Sequence, residues 1–364
     1  MGLERYQQGV QFLKKSPLAC EAREQNLLGV LYRNMNMHAK AIDCFQKSLA
    51  KNPLMWSSFK AICELDARHA ANCSFGIPTQ NLSSKTLNTG DFASPRALEN
   101  TLNVTTRSSR AGARRAANPF KSITTVVNKD KEKVPESHNS SSLNQDVQIL
   151  ADAFRLCCLY KSSQSLSALK RLSTAGIRTR LYSVISGKSH FDLYEYQKAF
   201  ASFSQVFLNG SFPFSVHDSR WLSSVIWQLK KPLEASYLAQ RCLDVDRHSP
   251  DTWITLGNCF SMHGEHDKAI KYLKRACSRR QQDAYVHTLL AHEYVATESF
   301  QPALEEYRKA LSISPSHYNA WYGIGNIYYR QEKYDLACFH FQRAISFNSE
   351  SSFLFCYLGM VVLT

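Results

Sequence analysis

The chain has 364 residues, 44% of them hydrophobic and 20% charged, which is enough apolar surface for a packed core and argues against wholesale disorder. The net charge of +14 favours an anionic neighbour, but the Lys and Arg are scattered and no nucleic-acid motif accompanies them, so a basic surface suited to an acidic protein partner is preferred over nucleic-acid binding. The first residues, MGLERYQQGV, lack the apolar run of a signal peptide, and the most apolar stretch, 353–363, is too short to span a bilayer.

In chain order, the first recognisable unit covers 22–55, with Leu28, Gly29, Tyr32, Ala41, Phe45 and Pro53 at spaced positions. Trp56, Phe59 and Ile62 then mark one further helix, and residues 1–70 are taken as an N-terminal helical segment. Residues 71–146 are rich in Ser, Thr, Asn and basic residues, without apolar periodicity, and are expected to be a disordered insertion. Its Arg107, Arg110, Arg114 and Arg115 read as a solvated linker or, less favoured, as a nuclear-localisation or acidic-partner contact. Ser94, followed by Pro95, is its one proline-directed phosphorylation candidate. The sequons at Asn81, Asn103 and Asn139 are read as chance matches.

Residues 147–364 are expected to be an almost continuous helical array. A stretch over 147–172 is amphipathic, and Tyr196 to Ala199 with Phe203 form the second half of a hairpin. Residues 216–249 keep Leu222, Ile226, Ala235 and Ala239. Trp253 and Trp321 then lie 68 residues apart, twice 34, and the intervening unit starts its own copy around His287. Three units are in register: 250–283 with Trp253, Leu256, Gly257, Phe260, Ala269, Leu273 and Ala276; 284–317 with Leu290, Ala291, Tyr294, Ala303, Tyr307, Ala310 and Pro315; and 318–351 with Trp321, Ile324, Gly325, Tyr328, Ala337, Phe341 and Ala344.

A 34-residue period of large residue, small residue, Tyr, Ala, aromatic and Ala defines the tetratricopeptide repeat (TPR), a helical hairpin that stacks on its neighbours. The small residues let the two helices of a hairpin approach, and the large ones fill the remaining volume. The packing set is therefore Gly29, Tyr32, Ala41, Trp253, Gly257, Ala269, Tyr294, Ala303, Trp321, Gly325 and Ala337. The fold class is all-α, a TPR superhelix or α-solenoid with a long disordered insertion. Phe355, Leu358 and Gly359 begin the first helix of another unit, so the array is expected to be incomplete at its C-terminal end.

The 11 cysteines include no CxxC pair, and Cys44, Cys242, Cys259, Cys277 and Cys338 sit in helical patterns as small apolar residues, which points to a reducing nuclear or cytoplasmic compartment. His263 and His266 fall on a turn without further ligands, so no metal and no cofactor is expected. No GxSxG, HExxH, P-loop or kinase signature is present, and no enzyme is expected.

The informative surface is the face formed by the second, fifth, ninth and twelfth positions of each first helix. These are Asp251, Ile254, Asn258 and Ser261; Tyr285, Thr288, His292 and Val295; and Asn319, Tyr322, Asn326 and Tyr329, with Arg330 beside them. Asn258, His292 and Asn326 share the ninth position, where amides suit a peptide carboxylate or are simply solvated.

The runs from His317 to Tyr334, from Ser249 to Phe260 and from Asn52 to Phe59 resemble the cell-division-cycle protein 27 family, the TPR subunits of the anaphase-promoting complex. The order of N-terminal repeats, insertion and C-terminal array is similar too. The resemblance implies a scaffold in a mitotic ubiquitin ligase, a partner of the other subunits of that complex. It also implies an insertion phosphorylated in mitosis and a C-terminal array that captures Ile-Arg tails of coactivators. Asp251, Tyr322 and Tyr329 would then face the terminal Arg, and Asn258, His292, Asn326 and Arg330 the carboxylate. Homodimerisation through the N-terminal repeats is implied for the family. Here those repeats number one and a further helix, which leaves it open. The alternative from the residues alone is a generic TPR adaptor or co-chaperone for C-terminal tails. It ranks second because the groove set is mostly Asn, Tyr, Ser and Thr. A glycosyltransferase with a TPR arm needs a catalytic domain that these residues do not provide.

Overall fold

A computed structural model describes residues 2–15, 21–66, 75, 140–173, 179–208 and 214–363. The insertion from 76 to 139, with Ser94 and its arginine cluster, lies outside the described residues. Every regular element described is helical. In chain order they are α1 (Gly2–Lys15), α2 (Ala22–Asn34), α3 (His38–Lys51), α4 (Trp56–Asp66), α5 (Ser140–Cys158), α6 (Ser162–Leu169), α7 (Arg180–Asp192) and α8 (Tyr196–Leu208). After a 3-10 turn at Val216–Asp218 come α9 (Ser219–Gln228), α10 (Pro232–Val245), α11 (Pro250–Met262), α12 (His266–Arg279), α13 (Ala284–Ala296), α14 (Phe300–Ile313), α15 (Tyr318–Arg330), α16 (Tyr334–Phe347) and α17 (Ser352–Leu363).

Seven hairpins follow: α2/α3, α5/α6, α7/α8, α9/α10, α11/α12, α13/α14 and α15/α16. Each turn carries one residue in the left-handed region: Asn36, Tyr160, Tyr194, Lys230, Gly264, Glu298 and Glu332, with φ between 54° and 77°. The next residue's N–H reaches back to the carbonyl five residues earlier, as from Glu265 to Phe260 at 2.9 Å and from Ser299 to Tyr294 at 2.8 Å. This is a Schellman closure, which satisfies the orphan carbonyls of the first helix. Only Gly264 adopts it without steric cost; the other six turns are held by the packing on either side.

Most of the packing set is buried, with Tyr294 only partly so. Ala41, Ala269, Ala303 and Ala337 are fully buried, and so are their partners Phe45, Tyr307 and Phe341. A Cβ at Gly257 would lie 2.7 Å from Leu273, and one at Gly325 2.7 Å from Phe341, so neither position tolerates a larger residue without displacing its neighbour. Trp253 is 2% exposed. Trp321, expected to be a buried anchor, is only half-buried: it lies against His340 with ring centroids 5.6 Å apart and donates its indole N–H to the Pro315 carbonyl at 2.9 Å.

The boundaries differ from expectation in three places. Helix α5 starts at Ser140, inside the stretch assigned to the insertion, and Asp146 accepts from the Ser173 N–H at 3.1 Å. The helical stretch over 147–172 is two helices, broken at Tyr160. Helix α1 had no counterpart in the sequence reading, and α7 was implied only as the unseen first half of the hairpin that Tyr196 to Ala199 and Phe203 complete. One apolar cluster runs from Val10 through Phe59 and Phe154 to Ile185, so the helices before the insertion pack directly on those after it.

The array curls until α5–α8 meet α15–α17. Tyr160 lies edge-on to Tyr318 with centroids 4.8 Å apart, and Tyr194 lies against Phe353 at 5.2 Å. Glu350 accepts from both the N–H and the hydroxyl of Ser163, at 2.9 and 2.6 Å, across 187 residues of chain. Tyr318 donates to Asp192 at 3.4 Å. These contacts form a seam between the α5–α8 turns and α15–α17.

Candidate functional site

The curl decides what the inner face offers. In a gently wound solenoid the first helices present their second, fifth, ninth and twelfth residues to an open channel. Here, over α9 to α13, these residues turn against one another. Asp251 and Ile254 are fully buried, and Asn258, Ser261, Tyr285, Thr288 and Val295 are each less than a tenth exposed.

Their polar atoms are already used. The Asn258 amide donates to Ser223 at 2.9 Å and to Ser224 at 3.1 Å, and Ser224 meets the Tyr285 hydroxyl. Trp227 donates to Ser261 at 3.0 Å, and Ser261 donates to Glu293 at 2.7 Å. Asp251 receives Arg280 at 2.5 Å and His217 at 3.1 Å, while Asp283 receives Arg220 at 2.5 Å. Burial alone would raise the Asp283 carboxyl; Arg220 and Arg280 outweigh it and hold it below the ordinary carboxylate range. At Asp251 burial wins over Arg280, Arg220 and His217 and the carboxyl is raised, consistent with its second oxygen having no partner.

Two of the expected groove residues are therefore corrected. Asp251 is not a free acceptor for a ligand's guanidinium, because the chain's own Arg280 fills that role. Asn258 is not a free donor for a carboxylate, because buried serines take its N–H groups. Their ligand-facing role would need an open channel, and the neighbouring first helices close it.

His292, the middle member of the ridge, is held by Tyr307, whose hydroxyl lies 2.7 Å from Nδ1. Burial pushes its imidazole down to about 4, so the ring is neutral at physiological pH. Tyr322 packs among Phe341, Phe353 and Tyr357, at centroid distances of 5.9, 5.3 and 5.2 Å. What remains accessible is the second half of α15: Asn326 and Tyr329, both half-buried, and the exposed Arg330. Their i, i+3, i+4 spacing places an amide, a phenol and a guanidinium on one face of one helix. Tyr329 is braced edge-on by Tyr334 at 6.0 Å.

The sequence reading missed Arg220, Ser223, Ser224, Asp283 and Glu293, which complete the inner wall. Arg220 and Glu293 carried a signal in principle, being charges on otherwise apolar faces. Four of the five cysteines expected in the core, Cys44, Cys242, Cys259 and Cys277, are buried free thiols, as are Cys63 and Cys157, whereas Cys338 is only partly buried. Burial pushes the Cys157 and Cys242 thiols up to about 11. Among the described residues no helix is long and apolar enough to cross a membrane.

With repeat packing, hairpin turns and inner face in place, the class follows. The tetratricopeptide repeat family matches residues 25–53, 227–293 and 318–351, and a TPR repeat match covers 291–332. The chain is a TPR protein, built on stacked helical hairpins. It is 32% identical over 232 residues to anaphase-promoting complex subunit 3 of Schizosaccharomyces pombe, covering 63% of this chain and 35% of that one. It is 35% identical over 207 residues to protein bimA of Emericella nidulans, covering 57% of this chain and 25% of that one. Against cell division cycle protein 27 homolog B of Arabidopsis thaliana the identity is 35% over 213 residues, covering 58% of this chain and 28% of that one. The chain is thus similar to proteins of the cell-division-cycle protein 27 family, and its match spans about a quarter to a third of the length of these relatives.

Proposed function

We propose that the chain is a scaffold subunit of the anaphase-promoting complex and supports its cell-cycle-dependent ubiquitination by holding partner tails. The fission-yeast relative is by name a subunit of this complex, and 232 residues of this chain align with it. The other subunits of the complex and coactivators with Ile-Arg C-terminal tails are its partners in this reading, in the nucleus and cytoplasm. Ser94 is its candidate for mitotic phosphorylation. Homodimerisation through α1–α4 belongs to the same reading.

The tail would dock on the second half of α15. A terminal carboxylate needs donors, and Asn326 and Arg330 supply an amide and a charge-assisted pair; a terminal guanidinium stacks on Tyr329. The accessibility of these three side chains, against the closed wall from α9 to α13, is the observation that carries the placement. A co-chaperone adaptor would instead need several unpaired cations on the inner face. Arg220 and Arg280 are there, but each is bound to an aspartate.

The test is a titration of a fluorescent peptide ending in Ile-Arg, as free acid and as amide. The free acid should bind more tightly, and an acidic chaperone-type tail should bind weakly. Equal affinity for acid and amide, or preference for the acidic tail, would overturn the reading.

A further inference from the structure

Across the interface between the hairpins α11/α12 and α13/α14, three side chains of metal-ligating type converge. Cys277 lies in the last turn of α12, His287 in the first turn of α13, and Glu306 midway along α14. One ligand atom from each lies within 4.8 Å of the other two. Cys277 and His287 are 9% and 8% exposed, and the Glu306 side chain is 14% exposed. Sequence spacing does not reveal the group, because stacking of successive repeats is what brings these positions together.

The 34-residue register shows how unusual the trio is. The equivalent positions at the preceding interface are Leu243, Trp253 and Tyr272, and at the following one Leu311, Trp321 and His340. Two of these trios are thus largely apolar, with Trp253 buried and Trp321 lying against His340. At the middle interface all three positions change together, to a thiol, an imidazole and a carboxylate. A core position that needed only volume would not require three coordinated polar replacements, each of which costs desolvation unless partnered.

The imidazole has a further peculiarity. Nδ1 lies 2.7 Å from Glu306, and Nε2 lies 3.3 Å from the Gln281 carbonyl. Both neighbours are acceptors, and a neutral imidazole has a single N–H. As placed, Nδ1–H can donate to Glu306; in the other tautomer, whose N–H faces Gln281, the Nδ1 lone pair is free to ligate a cation beside the Glu306 carboxylate once the two groups part to admit it. A histidine ligand whose other nitrogen donates to a backbone carbonyl is the usual second-sphere arrangement at a metal.

We propose that Cys277, His287 and Glu306 form a binding site for one zinc-type divalent cation bridging adjacent repeats. Thiolate, imidazole and carboxylate are all ordinary zinc ligands, with bonds of about 2.0–2.3 Å. On binding, the thiol proton leaves to solvent, and the thiolate and carboxylate together balance the two positive charges of the ion. Lys309 keeps its pair with the other Glu306 oxygen, 2.7 Å away. A fourth position would fall to water. The ion would tie α12 to α13 and α14 and stiffen the array at its centre.

The test uses the full chain, reduced and stripped with chelator, and titrated with Co2+ as a spectroscopic probe. A thiolate-to-cobalt charge-transfer band should saturate at one equivalent, and Zn2+ should displace it and raise the melting temperature. Cys277→Ser and Glu306→Gln should lose the band and the shift. His287→Trp restores the residue found at both neighbouring repeats, so it should fold and still lose both signals. Cys338→Ser, a thiol outside the site, should keep them. A wild-type chain without the band, or a band that survives Cys277→Ser or His287→Trp, would overturn the proposal.

Discussion

The hydroxyl of Ser351 donates to that of Tyr194 at 3.1 Å, across 157 residues of chain. Tyr194 is the left-handed residue of the α7/α8 turn, with φ 63°, and Tyr160 holds the same place one repeat earlier with φ 57°. A bulky residue rarely adopts that conformation unless its surroundings fix it. Both tyrosines reach across to the far end of the array, so the turns and the seam support each other.

Tyr160→Ala with Tyr194→Ala should therefore open the seam without unfolding the repeats. Helix content by circular dichroism should hold, while the radius of gyration from X-ray scattering rises and amide exchange in α17 accelerates. An unchanged scattering profile would show that the curl does not depend on these contacts.

Close packing inside a hairpin should be the least tolerant feature. Gly325→Val puts new atoms into the Phe341 ring, and overpacking of this kind costs roughly 1–3 kcal/mol. Trp253→Ala should cost roughly 3–5 kcal/mol, as removal of a large buried ring does. Trp321→Ala should cost less, because that ring is partly open to solvent and its loss can be filled by water. Thermal melts of the two Trp variants settle the order; an equal loss would return Trp321 to the core.

Acid should weaken the fold through two buried imidazoles. Burial pushes both His292 and His317 down to about 4. In the unfolded chain each titrates near 6.5. The depressed folded values mean that stability is fully present above about 6.5 and is lost as pH falls toward about 4, at most on the order of 3 kcal/mol per ring. Asp192 works in the opposite sense: burial raises it to about 7, against the pull of Lys188, so its contribution falls as pH rises from about 4 to about 7. His317→Gln should flatten the acid limb of a stability-against-pH curve, and Asp192→Asn should steepen it. A wild-type curve flat from pH 7 to 4.5, with both variants unchanged, would remove all three groups from consideration.

The repeat register was legible because a 34-residue spacing needs only local comparison: Gly257 with Gly325, Ala269 with Ala303 and Ala337. Helix α7 was implied but not placed, because Ser183, Ser186 and Ser189 occupy buried positions where the period calls for apolar residues, leaving Ile185 and Gly187 against Phe203 as its marks. Helix α1 escaped because Val10 is its one fully buried side chain among those described. The inner face was misjudged for a different reason. Whether Asp251 and Asn258 see solvent depends on how tightly the repeats wind, and that is fixed by pairs such as Ser163 and Glu350, which no 34-residue window contains.

The two asparagines at the ninth position now separate binding from packing. Asn258 is 7% exposed and bonded to two buried serines, so Asn258→Ala leaves Ser223 and Ser224 short of a donor and should cost roughly 1–3 kcal/mol of stability. Its effect on an Ile-Arg peptide should be small under conditions where the variant is folded. Asn326 is half-buried on the accessible part of α15, so Asn326→Ala should leave the melting temperature nearly unchanged. A lost hydrogen bond to a charged group is worth about 1.5–3 kcal/mol, so peptide affinity should fall on the order of tenfold or more. Arg330→Gln should weaken the same peptide further and reduce its sensitivity to salt, since an exposed charge pair is screened at physiological ionic strength. Melting curves and peptide titrations on the same four proteins decide the matter. If Asn258→Ala weakened the peptide as much as Asn326→Ala while both stayed folded, the inner wall would have to open in solution, and the site would extend back along the ridge to α11.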